Sequence, residues 1–218
     1  MHCVIIYLEG EVSFLEAKDF DTFVLYAALP DGDMVLPIHP DEREREILGC
    51  KSTDSRREKY FAWKLLELAV TQHLRLNFDN LRFTKNANGK WVCPDFEFSI
   101  SHTDGLVAVA ISRLPVGVDV ELIRPLRTEL AERILTQDEL VVLSTLGEDE
   151  RNLYLFDRWV RKESIFKMNG GAALLPNRID TDMHPTRKEC LTVDGREYVI
   201  ALASCEIDKA LFKYMEEI

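Results

Sequence analysis

Basic residues are in deficit in this chain. Lys and Arg number 27 against 38 Asp and Glu over 218 residues, for a formal net charge of −11. That balance argues against a general nucleic-acid binder, while leaving room for a local basic pocket around one phosphorylated ligand. Cysteine is sparse: Cys3, Cys50, Cys93, Cys190 and Cys205 are scattered, odd in number and without metal-ligand spacing. Free thiols in a reducing cytosol are the expectation. No apolar run approaches membrane-spanning length. The opening MHCVIIYLEG has too short an apolar run and no basic flank for a signal peptide, so a soluble cytoplasmic protein is expected. Glycine-rich phosphate loops of the G-x-x-x-x-G-K type are missing, which weakens a nucleotide-hydrolase reading. With 46% hydrophobic residues, the chain can bury a core as one larger domain or two small ones.

Taken in order, Cys3 to Leu8 and Thr22 to Ala28 read as strands, the second ended by the turn Pro30-Asp31-Gly32-Asp33. Pro40 opens a short charged helix through Leu48, whose alternating acids and arginines read as a solvated face. A helix capped by Asp54 or Ser55 is predicted from Arg56 to Leu76, with Tyr60, Trp63, Leu66, Leu68, Val70 and Leu74 packed inward. His73 reads as a core-edge residue, since no partner ligand lies at helical spacing. Asn88-Gly89 marks a hairpin between Leu81–Phe83 and Lys90–Val92, and a strand follows at Phe96 to Ile100. After Glu121, Thr128 or Glu129 to Leu135 forms a short helix, and Thr136 with Glu139 fits a capping box. A long helix from Arg151 to Met168 stops at Asn169-Gly170-Gly171, and strands return at Cys190–Val193 and Glu197–Ala203 around Asp194-Gly195. A strand–helix–strands order thus occurs twice, divided near Arg113 to Val116, with no sequence repeat behind it.

The stretch Ser99 to Glu121 organises the rest. Leu106, Ala108 and Ala110 fall on one strand face and Val107, Val109 and Ile111 on the other. In the next alternating run Asp119 and Glu121 project together with Gly117 between them and the strand's start, while Val118 and Val120 point the opposite way. Two acids at the end of a buried strand repel and lose hydration unless a cation sits between them, and Mg²⁺ suits such a pair. A strand edge running into solvent accounts for the same residues. In the long helix Trp159, Glu163 and Lys167 share one stripe at i, i+4, i+8. By itself this stripe also fits a core tryptophan beside a surface ion pair. Together with Asp119 and Glu121 it supplies three acids and a lysine, the set that a magnesium-held phosphoryl group needs.

At these residues the chain resembles a known family. Gly117-x-Asp119-x-Glu121, followed by Trp159-x-x-Lys162-Glu163-Ser164-x-x-Lys167, is similar to the paired signature of the 4′-phosphopantetheinyl transferases, in their larger, monomeric type. Phe98-Ser99-Ile100-Ser101-His102 matches that type's F-x-I-S-H segment, and Gly89-Lys90 its G-K element. Trp91 stands where proline usually follows, Glu42 where some relatives have lysine, and Ser164 where alanine is commoner.

The resemblance implies an α+β fold of two similar α/β lobes related by pseudo-two-fold symmetry, here residues 1–113 and 114–218, with a coenzyme A cleft between them. It implies transfer of 4′-phosphopantetheine from coenzyme A to a serine of an apo acyl or peptidyl carrier protein, with Mg²⁺, by a monomer that needs neither nucleic acid nor membrane. By the same resemblance Asp119, Glu121 and Glu163 would hold the metal and Glu163 would act as general base. Lys167 and His102 would neutralise charge on the pyrophosphate or leaving group, and His102, Ser101, Gly89 and Lys90 would line the coenzyme A pocket. Arg45 and Arg57 would meet its 3′-phosphate. A non-catalytic coenzyme A or carrier-binding relative, and a Mg²⁺-dependent phosphotransferase on another substrate, are the rival classes.

Overall fold

The computed structural model describes residues 3–8, 11–16, 22–125, 130–171, 173–208 and 210–218. Thr128 and Glu129, one expected helix start, lie outside the described residues. The strands are β1 (Cys3–Leu8), β2 (Glu11–Glu16), β3 (Thr22–Ala28), β4 (Thr84–Lys85), β5 (Trp91–Val92), β6 (Glu97–Thr103), β7 (Leu106–Ser112), β8 (Val116–Leu122), β9 (Thr186–Val193), β10 (Arg196–Ser204) and β11 (Leu211–Tyr214). The α-helices are α1 (Asp41–Leu48), α2 (Thr53–Ala69), α3 (Ala131–Ile134), α4 (Gln137–Thr145) and α5 (Glu148–Met168). The result is a mixed α/β fold.

Two sheets carry the structure. One runs β11-β3-β7-β6, antiparallel except for β11, which lies parallel to β3. The other runs β8-β10-β9 and is antiparallel throughout. The alternation in β7 sorts its side chains between two cores. Val107, Val109 and Ile111 join Trp63, Leu65, Leu66 and Phe98 in the core between α2 and the first sheet. Leu106, Ala108 and Ala110 join Val118, Val120, Ile200 and Leu202 in the core between the sheets. On the far side Phe156 and Val160 of α5 pack against Val199 and Ala201 of β10. The layers are therefore helix, sheet, sheet, helix, and β7 is buried on both faces, which is why it reads as an unbroken apolar run.

The sheets meet where β6 lies beside β8, and side chains make the join. Ser99 Oγ accepts the Val118 N–H at 3.0 Å, and Ser101 Oγ accepts the Val120 N–H at 3.3 Å. Hydroxyls at alternate positions of β6 thus satisfy edge amides that a neighbouring strand would otherwise take up.

Several expectations need correcting. The long N-terminal helix is capped by Ser52, whose side chain accepts the Ser55 N–H, and begins at Thr53. Its last turn, Val70–Leu74, widens to π geometry and ends at Arg75 with φ 58°. His73 packs 4.7 Å from the Phe23 ring, at the core edge as expected. The Asn88-Gly89 hairpin pairs Thr84–Lys85 with Trp91–Val92, not Leu81–Phe83; Leu81 and Phe83 are buried among aromatic rings instead. In α1 Arg43 turns inward, 6% exposed, with its guanidinium 4.8 Å from the Trp63 ring, so that helix is not solvated all round. The Thr136–Glu139 capping box is present as expected. The long helix starts at Glu148, earlier than Arg151, and Gly170 and Gly171 stop it at φ 84° and 73°, conformations that favour glycine. Strands β2 and β11 carried no expectation.

Candidate active site

The site is made by one close approach. A Cβ at Gly117 would stand 1.8 Å from Ser164 O and 2.5 Å from Met168 N, both backbone atoms of α5. Beside Gly117 the sequence leaves space, and the helix backbone fills it. Only glycine on β8 lets α5 come this near, and Ser164, fully buried, is the small residue on the facing side. The approach carries the polar stripe of α5 onto Asp119 and Glu121.

Asp119 is 4% exposed. Lys167 Nζ donates to its Oδ1 at 2.7 Å, and Ser101 Oγ donates to the same oxygen at 2.8 Å. Lys167 also donates to Ser101 Oγ at 3.0 Å. The lysine therefore pairs with the strand acid, not with Glu163 one turn before it as an ordinary helical ion pair would have it. Asp119 Oδ2 is buried and has no hydrogen-bond partner. Glu121 accepts from Trp159 Nε1 at 3.2 Å and from Thr103 Oγ1 at 3.3 Å. Burial, then the Asp119 charge, raises the Glu121 carboxyl against those two donors. Glu163 is pushed up to about 7 by burial first, then by Asp119, with Lys167 opposing and Glu121 adding. Asp119 thus stands paired with Lys167 and repels both Glu121 and Glu163. Among the described residues, no group of three or more His, Cys, Asp or Glu side chains is already drawn together as a metal cage.

A cleft of about 380 Å³ opens on the other side of Lys167. Its walls carry Arg43, Lys59, Lys90, Lys167 and His102, and no carboxylate. An acidic protein therefore concentrates cations at one concave place, where low-dielectric walls strengthen their field. Burial pushes the Lys90 ammonium down; its Nζ donates to Lys167 O at 2.8 Å, at the negative end of α5. Asn86 and Asn88 each donate to Gly170 O, at 3.0 and 3.2 Å, so the hairpin also grips the helix end. Gly89 forms the cleft wall beside Lys90 with φ 83°.

The structure brings together Asp119, Glu121, Glu163, Lys167 and Ser101, and sets His102, Gly89 and Lys90 on the cleft beside them. Ser101, 5% exposed, bonds Asp119 rather than facing the cleft. Arg45 is exposed on α1, and Arg57 donates to the Gly32 and Pro30 carbonyls; neither borders the cleft. Two cations that do, Arg43 and Lys59, escaped the sequence reading, as did the hydroxyls of Ser99 and Thr103. The alternation Ser99, Ser101, Thr103 along β6 was the available signal for those hydroxyls.

The chain is similar to proteins of one family. Residues 115–213 match the model of the 4′-phosphopantetheinyl transferase superfamily. The chain is 33% identical over 115 residues to the 4′-phosphopantetheinyl transferase ffp of Bacillus subtilis, covering 51% of each chain. It is 29% identical over 154 residues to the gsp enzyme of Aneurinibacillus migulanus, across 63% of this chain and 65% of that one. To Sfp of Bacillus subtilis strain 168 it is 29% identical over 142 residues, across 64% and 63% respectively. The chain thus spans between half and two thirds of the length of these three relatives. The Gly117–Ser164 contact joins the two signature segments inside one site, and both lie in the stretch that is similar to the 4′-phosphopantetheinyl transferase superfamily.

Proposed function

We propose that this protein transfers the 4′-phosphopantetheine group of coenzyme A to a serine of an apo acyl or peptidyl carrier protein. One observation carries the proposal: three carboxylates and a lysine, drawn from β8 and α5, stand beside a cleft whose charged groups are all basic. Coenzyme A has a pyrophosphate and a 3′-phosphate, and such a cleft answers to anions of that kind.

The residues fit a hard divalent cation. Asp119, Glu121 and Glu163 offer only oxygen donors, and the buried Asp119 Oδ2 is an acceptor left without a donor. Mg²⁺ held by these three would neutralise charge building on the pyrophosphate. The chain's own groups do the rest. Glu163 takes the proton of the carrier serine as its oxygen bonds to the β-phosphorus of coenzyme A. The bond from that phosphorus to the leaving oxygen breaks and 3′,5′-ADP departs, its charge met by Lys167 and His102. Ser101 orients Asp119 by hydrogen bonding. Lys90 and Gly89 line the phosphate channel, and Arg43 and Lys59 take the 3′-phosphate role first given to Arg45 and Arg57.

The same reading holds that residues 1–113 and 114–218 form two similar lobes with the cleft between them, β11 crossing back to the first sheet. It also holds that the protein acts as a monomer. Docking of an acidic carrier rests on an apolar patch with a few basic side chains, since chain-wide attraction cannot join two acidic partners.

Incubation with an apo carrier domain, coenzyme A and Mg²⁺, followed by mass spectrometry of the carrier, tests the proposal. A carrier gaining phosphopantetheine supports it. A bound but unmodified carrier would mean a non-catalytic relative, and no reaction or binding would leave another phosphotransferase substrate.

A further inference from the structure

A carboxylate stands behind the basic cleft where it ought to work against anion binding. Glu58 on α2 has its Oε2 3.1 Å from His102 Nδ1, with the two side chains 15% and 30% exposed. The imidazole borders the cleft and Glu58 does not. Burial pushes His102 down to about 4, with Lys167 of α5, Lys59 of α2 and Arg43 of α1 adding to it. Burial, then Asp104 and Asp54, raises Glu58. At neutral pH the imidazole is therefore neutral, and a proton on Nδ1 would face Glu58 Oε2 3.1 Å away. That approach favours the tautomer with the lone pair on Nε2.

We propose that Glu58 is the positioning residue of His102, fixing the ring through its Nδ1–H so that the Nε2 edge receives a phosphate in the cleft. A phosphate oxygen only accepts, so a lone pair on Nε2 cannot bind it. On ligand arrival the ring takes one proton from solvent at Nε2. The imidazolium then donates from Nδ1 to Glu58 and from Nε2 to the phosphate oxygen. Glu58 offsets the new charge, which Lys167, Lys59 and Arg43 otherwise oppose. The acid thus serves an anion site by making a protonated histidine tolerable there. This inference rests on the phosphate reading of the cleft.

Calorimetric titration of the full chain with 3′,5′-ADP, without Mg²⁺, tests it when run in two buffers of different ionisation enthalpy. The wild type is expected to bind with uptake of about one proton. Spectra of ¹⁵N-labelled histidine should show the Nδ1–H tautomer before binding and the doubly protonated ring after it. Glu58→Ala is expected to weaken binding about tenfold and to lose the Nδ1–H signature. Glu58→Gln keeps an acceptor, so the tautomer survives while proton uptake falls; it carries the test if the alanine variant does not fold. In a His102→Ala background Glu58→Ala should change Kd by less than about twofold, since its effect runs through the ring. A Glu58→Ala protein with wild-type Kd and an unchanged His102 spectrum would overturn the inference, as would equal losses in both backgrounds. A wild type that does not bind 3′,5′-ADP overturns the phosphate reading itself, and this inference with it.

Discussion

Replacing Gly117 with alanine tests the contact on which the site is built. The new Cβ would lie 1.8 Å from Ser164 O, where an ordinary contact begins at about 3.4 Å. The three obstructing atoms, Ser164 O and C and Met168 N, belong to helix backbone, so no side-chain rotation relieves the clash. Restoring contact distance moves α5 away from β8 by about 1.5 Å, since packed interiors hold no spare space to absorb it. Overpacking of this kind costs about 1–3 kcal/mol in stability. The chemical cost is larger. Glu163 and Lys167 ride on the displaced helix while Asp119 and Glu121 stay on the strand, and a misplacement of about 1 Å already costs roughly 10²-fold in rate. Carrier modification, followed by mass spectrometry over time, should therefore fall at least about 100-fold while urea melts show a folded protein. Gly32→Ala is the control: nothing lies within 4 Å of its added Cβ, and both stability and rate should match the wild type. A Gly117→Ala protein of wild-type rate would mean that helix and strand do not approach as described, and the site would dissolve.

Other expectations follow from single groups. Glu163→Gln should cut carrier modification by roughly 10²–10⁴-fold without unfolding the protein, and an undiminished rate would refute its role as base. Lys162 is fully buried, donating to Glu139 Oε2 at 2.5 Å and Ile134 O at 2.9 Å. Lys162→Met leaves the buried Glu139 carboxylate only the distant cation of Arg158, Nε at 3.9 Å, and urea titration should show a loss of about 3 kcal/mol. Burial, with Lys213 and Arg75, pushes His73 down to about 4. The unfolded chain then takes up a proton that the folded one refuses, so stability is full above about pH 6.5 and declines toward pH 4, by at most about 3 kcal/mol from this residue. Melts at pH 7 and 4.5 should differ less for His73→Leu than for the wild type. The proposed docking through an apolar patch implies that modest salt slows carrier modification little; a steep loss of rate would contradict it.

Much of the fold was legible because two periodicities are strong here. The bounds of Thr22–Ala28 follow from an apolar run closed by the Pro30-Asp31-Gly32-Asp33 turn, and the two faces of residues 106–111 from alternation. The Thr136–Glu139 box and the double-glycine stop after Met168 follow from local backbone chemistry. The shared face of Asp119 and Glu121 was equally plain, as was the stripe of Trp159, Glu163 and Lys167. What stayed hidden is what tertiary contact decides. Nothing in α1 distinguishes Arg43 from its charged neighbours until Trp63 is seen beneath it. Lys167 chooses Asp119 over Glu163 because the helix comes so close to β8. Strand β11 has only four residues and gains its identity from the parallel partner already waiting in β3.

The seam between the sheets has a mechanical meaning. Where β6 meets β8, two serine hydroxyls hold the amides of Val118 and Val120. Hydroxyl rotors tolerate small sliding that a main-chain ladder resists, so this line is more compliant than the laddered pairs on either side of it, next to the acids themselves. Slow amide exchange should thus reach these two valines before Val109, which is laddered on both sides, and the cleft can breathe about a pivot that leaves every helix whole.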